Sequence, residues 1–238
     1  MDNYSGESVR KNLEQIRMNI AEACELSGRS ADSLRIMAVT KTVPAETVNC
    51  IFGMGLELIG ENRVQEYLSK KDAYISDIDG GKAPEIHFIG HLQTNKVKYI
   101  IDDMTMIQSV DSVKLAQEIN RLAIAHNKVM DVLCEVNIGG EASKSGVSPD
   151  EITTLLEQLA GMEGIRVKGL MTIPPPSESD IFLGRMEELF NKIKGRNIEG
   201  VAMDELSMGM THDYAEAVKH GSTIVRIGTG LFGARNYF

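Results

Sequence analysis

The fold of this chain follows from one stretch, Leu34-Arg35-Ile36-Met37-Ala38-Val39-Thr40-Lys41-Thr42-Val43-Pro44. Its centre, residues 36–39, is a short apolar run bounded by polar residues and a proline, which predicts a strand buried on both faces. A helix is predicted from Pro44, because proline is favoured at the first helical position and Glu46 places an acid in the first turn. The stretch therefore predicts a strand, a loop and a helix in succession.

Lys41 stands at the carboxyl end of this predicted strand, where the strand opens into the loop. Lysine is seldom buried unless it has a partner or a function. An amine held out of water loses its proton more readily, and the neutral amine is the form that reacts with carbonyl groups. This stretch alone leaves two interpretations open: a solvated lysine at a strand end, or an amine that performs carbonyl chemistry.

The unit of strand and helix recurs about eight times behind one extra amino-terminal helix. Strands are predicted at residues 36–39, 56–60, 85–90, 104–110, 128–137, 165–173, 205–208 and 223–227. Helices are predicted at residues 8–26, 44–54, 63–71, 96–101, 111–126, 148–161 and 212–220, with one more ending at 190. Such alternation indicates parallel strands joined by crossover helices. With 238 residues, we predict an α/β protein, a single-domain (β/α)8 TIM barrel over residues 1–238. A doubly wound open sheet is the alternative.

The composition excludes several classes of partner. A net charge of −9 argues against nucleic acid and anionic membrane surfaces. The sequence has no apolar run long enough for a membrane span, and residues 1–7 lack the features of a signal peptide. Cys24, Cys50 and Cys134 have neither C-x-x-C nor zinc spacing, so we expect three small buried thiols. A cytoplasmic, reduced protein is predicted.

In a barrel of this kind, the chemistry lies at the carboxyl ends of the strands. Read in order, those ends carry Lys41, Asn62, His87 with Gly90, Ser109, Asn137, Met171, Ser207, and Arg226 with Gly228. Most of these residues are polar, whereas the bodies of the strands are apolar. A purely structural barrel does not need an amine, amides, a hydroxyl and a guanidinium at one mouth, so the pattern predicts a binding site.

The last two strand ends have the character of an anion site. Residues 207–210 and 228–230 both place a hydroxyl beside glycine backbone N–H groups, as phosphate sites after the last two strands of such barrels do. Ordinary turn chemistry is the alternative for either loop alone, and the pair together favours phosphate. Residues 228–233 also match G-x-G-x-x-G, but that fingerprint must open a helix inside a βαβ unit, and only 234–238 follow.

Arg226 and the histidines allow narrower expectations. Arg226 keeps its charge at a barrel mouth, where it either pairs with a carboxylate or donates to a ring nitrogen and leaves that nitrogen unprotonated. His87 and His91 are four residues apart, but one lies in a predicted strand and the other in a loop. We therefore predict no metal site from them.

Eight motifs occur in order along the chain: Ala38-Val39-Thr40-Lys41-Thr42, Gly60-Glu61-Asn62, His87-Phe88-Ile89-Gly90, Leu92-Gln93-Thr94-Asn95-Lys96, Lys144-Ser145-Gly146, Gly169-Leu170-Met171-Thr172-Ile173-Pro174, Ser207-Met208-Gly209-Met210 and Val225-Arg226-Ile227-Gly228-Thr229. Through them the chain resembles the pyridoxal-phosphate homeostasis proteins (the YggS/PROSC family) over nearly its whole length. The fold of that family is similar to the N-terminal barrel of alanine racemase.

The resemblance implies pyridoxal 5′-phosphate (PLP) as cofactor, held as a Schiff base on Lys41. It places the phosphate on residues at the last two strand ends, and it puts Arg226 near the pyridine nitrogen and Asn62 near the ring. The expected residues at the phosphate end are Ser207, Gly209, Gly228 and Thr229. Lys144, also in a loop after a strand, is the alternative site of the covalent bond.

The resemblance also bears on catalysis. Racemases carry a second, β-rich domain that supplies a catalytic tyrosine across a dimer, whereas this chain ends at Phe238. The tyrosines offer no convincing substitute: Tyr67, Tyr99 and Tyr214 lie in predicted helices, and Tyr237 lies in the tail. We therefore expect a monomeric, non-catalytic protein of vitamin B6 homeostasis, with PLP-dependent apo-enzymes as recipients. A PLP-dependent amino-acid racemase or isomerase is the alternative.

Overall fold

The computed structural model of the chain describes residues 6–77 and 82–234. Its strands are parallel, each pairs with the next along the chain, and the eighth pairs with the first, so the sheet closes into a barrel. The strands are β1 (Arg35–Val39), β2 (Leu58–Glu61), β3 (Glu85–Phe88), β4 (Met106–Val110), β5 (Met130–Val136), β6 (Ile165–Thr172), β7 (Val201–Ser207) and β8 (Ile224–Ile227). The predicted TIM barrel is confirmed, and the open sheet is excluded.

The α-helices are α1 (Gly6–Leu26), α2 (Ala45–Phe52), α3 (Val64–Lys70), α4 (Val113–Ala125), α5 (Ile152–Leu159), α6 (Ser179–Lys194), α7 (Tyr214–Lys219) and α8 (Thr229–Phe232). The helix predicted between β3 and β4 is a 3-10 helix, Thr94–Tyr99, and the short α8 was not predicted. Within the described ranges, no helix is both long and apolar enough to cross a bilayer.

The extra amino-terminal helix, α1, belongs to the outer ring of the barrel. It contacts α2, α7 and α8, and its buried side chains repeat at helical spacing. They include Val9, Leu13, Ile16, Ile20 and Cys24, the five residues from which the helix was predicted. The helix therefore covers the seam where β8 closes onto β1.

The interior of the barrel is filled by side chains and is not a pore. Two apolar clusters occupy it: Met37, Leu58, Ile89 and Ile224, and Met106, Leu133 and Met171. Gly60 on β2 leaves the space for one of them, because a Cβ there would lie 2.6 Å from the Met37 sulfur. Deep packing of this kind confines ligands to the mouth.

Two local expectations are corrected. Cys24 and Cys134 are buried thiols, but Cys50 is exposed because its position on α2 faces away from the barrel. The seventh strand begins at Val201, four residues before its predicted start, and so includes the solvent-facing Asp204.

Candidate functional site

A cavity of about 260 Å³ opens at the carboxyl ends of β1, β2, β3, β6, β7 and β8. It is lined by five of the seven predicted site residues, Lys41, Asn62, Arg226, Gly228 and Thr229. Its other walls are Val39, Ile89, Ile173, Met210, Thr211 and His212. The barrel therefore gathers residues from both ends of the sequence into one pocket, with apolar walls between an amine and a guanidinium.

The loop that carries Lys41 is fixed by hydrogen bonds around its base. The Thr40 hydroxyl donates to Glu61 Oε1 at 2.8 Å, and Lys70 Nζ donates to the Thr40 carbonyl at 3.0 Å. The Thr42 backbone N–H donates to Glu66 Oε1 at 2.6 Å, where Thr42 adopts a left-handed φ of 64°. These contacts position the half-buried Lys41 side chain at the edge of the cavity.

Asn62 supplies an acceptor that is not used by the protein. Its Oδ1 atom is buried and has no hydrogen-bond partner among the described residues. The backbone beside it is tightly packed, since a Cβ on Gly90 would lie 2.1 Å from the Asn62 carbonyl oxygen. A buried acceptor without a partner costs free energy, so its presence in a cavity indicates a ligand that donates to it.

Arg226 begins a chain of buried hydrogen bonds that crosses the barrel. Its Nη2 donates to the Thr172 carbonyl at 2.7 Å, and its Nη1 donates to Ser207 Oγ at 2.8 Å. Ser207 in turn donates to Gln108 Oε1 at 2.7 Å, and the Gln108 amide lies 2.9 Å from His87 Nδ1. None of these partners is a carboxylate, so the guanidinium is held by neutral groups.

Burial sets the charge states along this chain. Arg226 is 3% exposed, and burial lowers its pKa to about 10, so the guanidinium is still charged at neutral pH. Burial, with a smaller contribution from Arg35, lowers the pKa of His87 to about 3. His87 is therefore neutral, and its Nδ1 accepts from the Gln108 amide. It lies inside the barrel and not at the mouth, where it had been predicted.

The two remaining predicted residues do not line the cavity. The Ser207 side chain is fully buried and its hydroxyl already has two partners, so the phosphate contact expected of it stays a prediction. Gly209 has a φ of 90°, and a Cβ there would lie 2.4 Å from the Ala217 Cβ. Its backbone carbonyl accepts from the Arg226 N–H at 2.9 Å, which gives Gly209 a structural role beside the site.

Thr211 is a site residue that the sequence reasoning missed. Its hydroxyl accepts from the Gly230 backbone N–H at 3.0 Å and from Thr229 Oγ1 at 3.3 Å. It therefore joins the loop after β7 to the turn after β8, the two segments predicted to hold phosphate. Its position next to the predicted loop 207–210 was the available signal.

A second cavity, of about 330 Å³, adjoins the first and shares Asn62, Ile89 and Ile173 with it. Its remaining walls include Glu135, His91, Asn137 and the loop residues Ser143, Lys144 and Ser145. Lys144 lies here, beside Glu141 at 2.7 Å and apart from the Lys41 cavity. Glu135 is 7% exposed and was not singled out from the sequence, because it reads as one more residue of a buried strand.

Among the described residues, no tyrosine lines the Lys41 cavity. Tyr67 is buried on α3, and Tyr99 is exposed at the end of the 3-10 helix. The Tyr214 hydroxyl accepts from Asn19 at 2.7 Å on the outside of the barrel. Tyr237 lies outside the described residues.

A larger groove, of about 560 Å³, lies at the opposite end of the strands. Its charged residues are paired with each other, Arg35 with Glu85 at 2.5 Å and Lys82 with Glu57. Arg17 donates to the Met54 carbonyl at 3.0 Å. These pairs satisfy most of the charged side chains that the structure describes in the groove.

Comparison with known proteins agrees with this geometry. A sequence profile described as "Alanine racemase, N-terminal domain" matches residues 12–236. The pyridoxal phosphate homeostasis protein of Aquifex aeolicus (strain VF5) is 43% identical over 229 residues, covering 94% of this chain and 97% of that protein.

Two solved structures share the whole barrel. An unknown protein from Bifidobacterium adolescentis has a TM-score of 0.87 and 32% identity, and 97% of each chain is covered. PipY of Synechococcus elongatus PCC7942, solved with PLP bound, has a TM-score of 0.77 and 29% identity, covering 90% of this chain and 100% of that one. This chain therefore belongs to the family of pyridoxal phosphate homeostasis proteins, which is built on the barrel of the alanine racemase N-terminal domain.

Proposed function

We propose that this protein binds PLP for vitamin B6 homeostasis, holds it as a Schiff base on Lys41, and does not catalyse a reaction. The observation that carries the proposal is the shared cavity of Lys41 and Arg226, whose volume of about 260 Å³ suits a small aromatic ligand. The family relationship and the PLP-bound PipY structure support the same ligand.

The residues fit the chemical groups of this ligand. Bound PLP supplies an aldehyde for an amine and a ring that can accept electrons. Arg226, which lines the cavity and is charged, would donate to the ring nitrogen and keep it unprotonated, and an unprotonated ring is a poor electron sink. Asn62, which lines the cavity, would lie near the ring. Gly228 and Thr229 hold the phosphate, with their turn fixed by Thr211.

Ser207 and Gly209 complete the proposed site indirectly. The Ser207 hydroxyl accepts from the Arg226 guanidinium, and the Gly209 carbonyl accepts from the Arg226 backbone. Both contacts restrain Arg226. We therefore propose that Ser207 and Gly209 affect cofactor binding through Arg226. They also belong to the segment after β7 that is proposed to hold the phosphate.

Absorbance spectroscopy tests the proposal. With PLP added, the wild-type protein is expected to absorb in the imine region, and borohydride should make the adduct permanent. Lys41→Ala should abolish both signals, whereas Lys144→Ala, in the neighbouring cavity, should retain them. A reducible adduct in Lys41→Ala, mapped by mass spectrometry to Lys144 or elsewhere, contradicts the assignment.

A racemase or isomerase is the second candidate, favoured by the buried carboxyl of Glu135 beside the Lys41 cavity. Racemisation requires a proton to be removed from one face of the substrate and returned on the other, and each positioned acid or base contributes about 10²–10⁴-fold. Deuterium exchange at the α-carbon of alanine in heavy water separates the candidates. Rapid exchange with inversion that depends on Lys41 contradicts the non-catalytic proposal.

We also propose that the protein acts as a monomer in the cytoplasm, with PLP-dependent apo-enzymes as recipients. The acidic net charge of −9 and the free thiols of Cys24, Cys50 and Cys134 support a soluble protein in a reducing compartment. Size-exclusion chromatography with light scattering tests whether the protein is a monomer. Transfer of PLP to a purified apo-enzyme, faster than from a solution of free PLP, tests whether such enzymes are recipients.

A further inference from the structure

The cavity beside the Lys41 site contains a carboxyl group with no partner. Glu135 lies on β5 two residues beyond Leu133, so both side chains point into the barrel, and Glu135 is nearest the mouth. Glu135 is 7% exposed, and its carboxyl makes no hydrogen bond or ion pair with the part of the chain that the structure describes. Buried carboxylates are costly unless they are paired, so this one indicates a ligand.

An amide side chain contributes to the same cavity. Asn62 lines both this cavity and the Lys41 cavity, and its Oδ1 is buried without a partner among the described residues. Two acceptors on one cavity suit a ligand with several N–H donors. Lys144, Ser143 and Ser145 line the cavity as well. Lys144 pairs with Glu141 at 2.7 Å, so a ligand carboxylate would share this cation with Glu141 and would meet the two serine hydroxyl groups.

We propose that this second cavity binds a free α-amino acid, with its ammonium group on Glu135 and Asn62 and its carboxylate on the Lys144 loop. The proposal rests on the proposed function, since it places an amine next to the carbonyl chemistry of Lys41.

The charges around Glu135 give the proposal a pH dependence. Burial, and then the charge of Asp111, raise the pKa of Glu135 to about 7, and the charge of Arg226 opposes them. His91 and Lys144 also line the cavity. Below about pH 7 the carboxyl is neutral and attracts an ammonium group weakly, and above it the carboxylate attracts the ammonium group strongly.

Calorimetric titration of L-alanine into the full chain without PLP tests the subsite. At pH 8, Glu135→Gln is expected to weaken L-alanine binding at least about tenfold, since hydrogen bonds to charged groups contribute about 1.5–3 kcal/mol. Glu157→Gln, an exposed change on α5, is the matched control and should bind as the wild type does. At pH 6 the difference between wild type and Glu135→Gln should shrink. Circular dichroism checks that each variant is folded.

Propionate and N-acetyl-L-alanine, which lack the ammonium group, should bind wild type at least about tenfold more weakly than L-alanine does. Equal binding of L-alanine and propionate, equal binding by wild type and Glu135→Gln at pH 8, or no binding by wild type would each overturn the proposal. The borohydride adduct on Lys41 is measured separately and should persist in Glu135→Gln. Its loss in wild type contradicts the proposed function, whereas an intact adduct without L-alanine binding contradicts the subsite alone.

Discussion

Replacing Glu135 by glutamine should change how the stability of the protein depends on pH. The pKa of the carboxyl is about 7 in the folded protein, against an ordinary value of 4.5. Between these values the unfolded chain has released the proton while the folded chain still holds it, so raising the pH favours unfolding. The stability that the neutral carboxyl provides is complete below about pH 4.5 and is lost as the pH rises through about 7.

The size of this effect follows from the same two values. The difference corresponds to roughly 3 kcal/mol in the free energy of unfolding. Because Glu135 is almost fully buried, solvent screening reduces this free-energy difference only a little. Glutamine has nearly the same shape but does not titrate. Relative to Glu135→Gln, the wild-type protein should therefore lose up to about 3 kcal/mol of stability between pH 4.5 and pH 8.

Urea unfolding followed by circular dichroism, at several pH values from 4.5 to 8, measures the difference. The test is how the difference in unfolding free energy changes with pH. A constant difference in stability caused by the glutamine amide therefore does not affect the result. Glu157→Gln on the exposed face of α5 should follow the wild type at every pH. If the difference in unfolding free energy between wild type and Glu135→Gln is the same at pH 4.5 and pH 8, Glu135 is not a buried, unpaired carboxyl in the folded protein.

Three further changes test other parts of the site. Burial lowers the pKa of His87 from 6.5 to about 3. The wild-type protein should therefore lose stability as the pH falls below 6.5, by roughly 5 kcal/mol at most. In acid unfolding curves, the stability of His87→Gln should depend less on pH. Thr229→Val should weaken PLP binding about tenfold more than pyridoxal binding, and equal losses in a fluorescence titration would place the phosphate elsewhere. Gly209→Ala should destabilise the protein by at least about 1 kcal/mol in urea, because its φ is positive and its Cβ has no space, whereas Gly161→Ala, with open space around it, should change little.

The order and type of the elements were predictable because they depend on local patterns. The apolar run at 36–39 and its proline gave the first strand and helix, and repetition of that unit implied parallel strands and crossover connections. The closed barrel then brings the strand ends together. For this reason Lys41 and Arg226, 185 positions apart by their numbers, could be assigned to one mouth before any coordinates were known.

Side-chain direction and partners were not predictable in the same way. Ser207 and His87 were assigned to the mouth, yet both lie inside the barrel, joined through Gln108. The Ser207 and Gln108 side chains meet across 99 positions of sequence. Whether a polar residue on a buried strand faces the mouth, the interior or the helices depends on strand register, and a shift of one residue reverses the face.

The sequence by itself determined the barrel, the amine at the end of its first strand and the glycine turns at its last two strands. These features are encoded by hydrophobic periodicity and by residues with particular backbone requirements, which act over a few neighbouring positions. Only the tertiary structure decided that Arg226 is held by neutral partners, that Asn62 keeps an unused acceptor, and that Glu135 is buried in the cavity adjoining that of Lys41. Those properties depend on which side chains face one another across the closed barrel and on how much water remains between them.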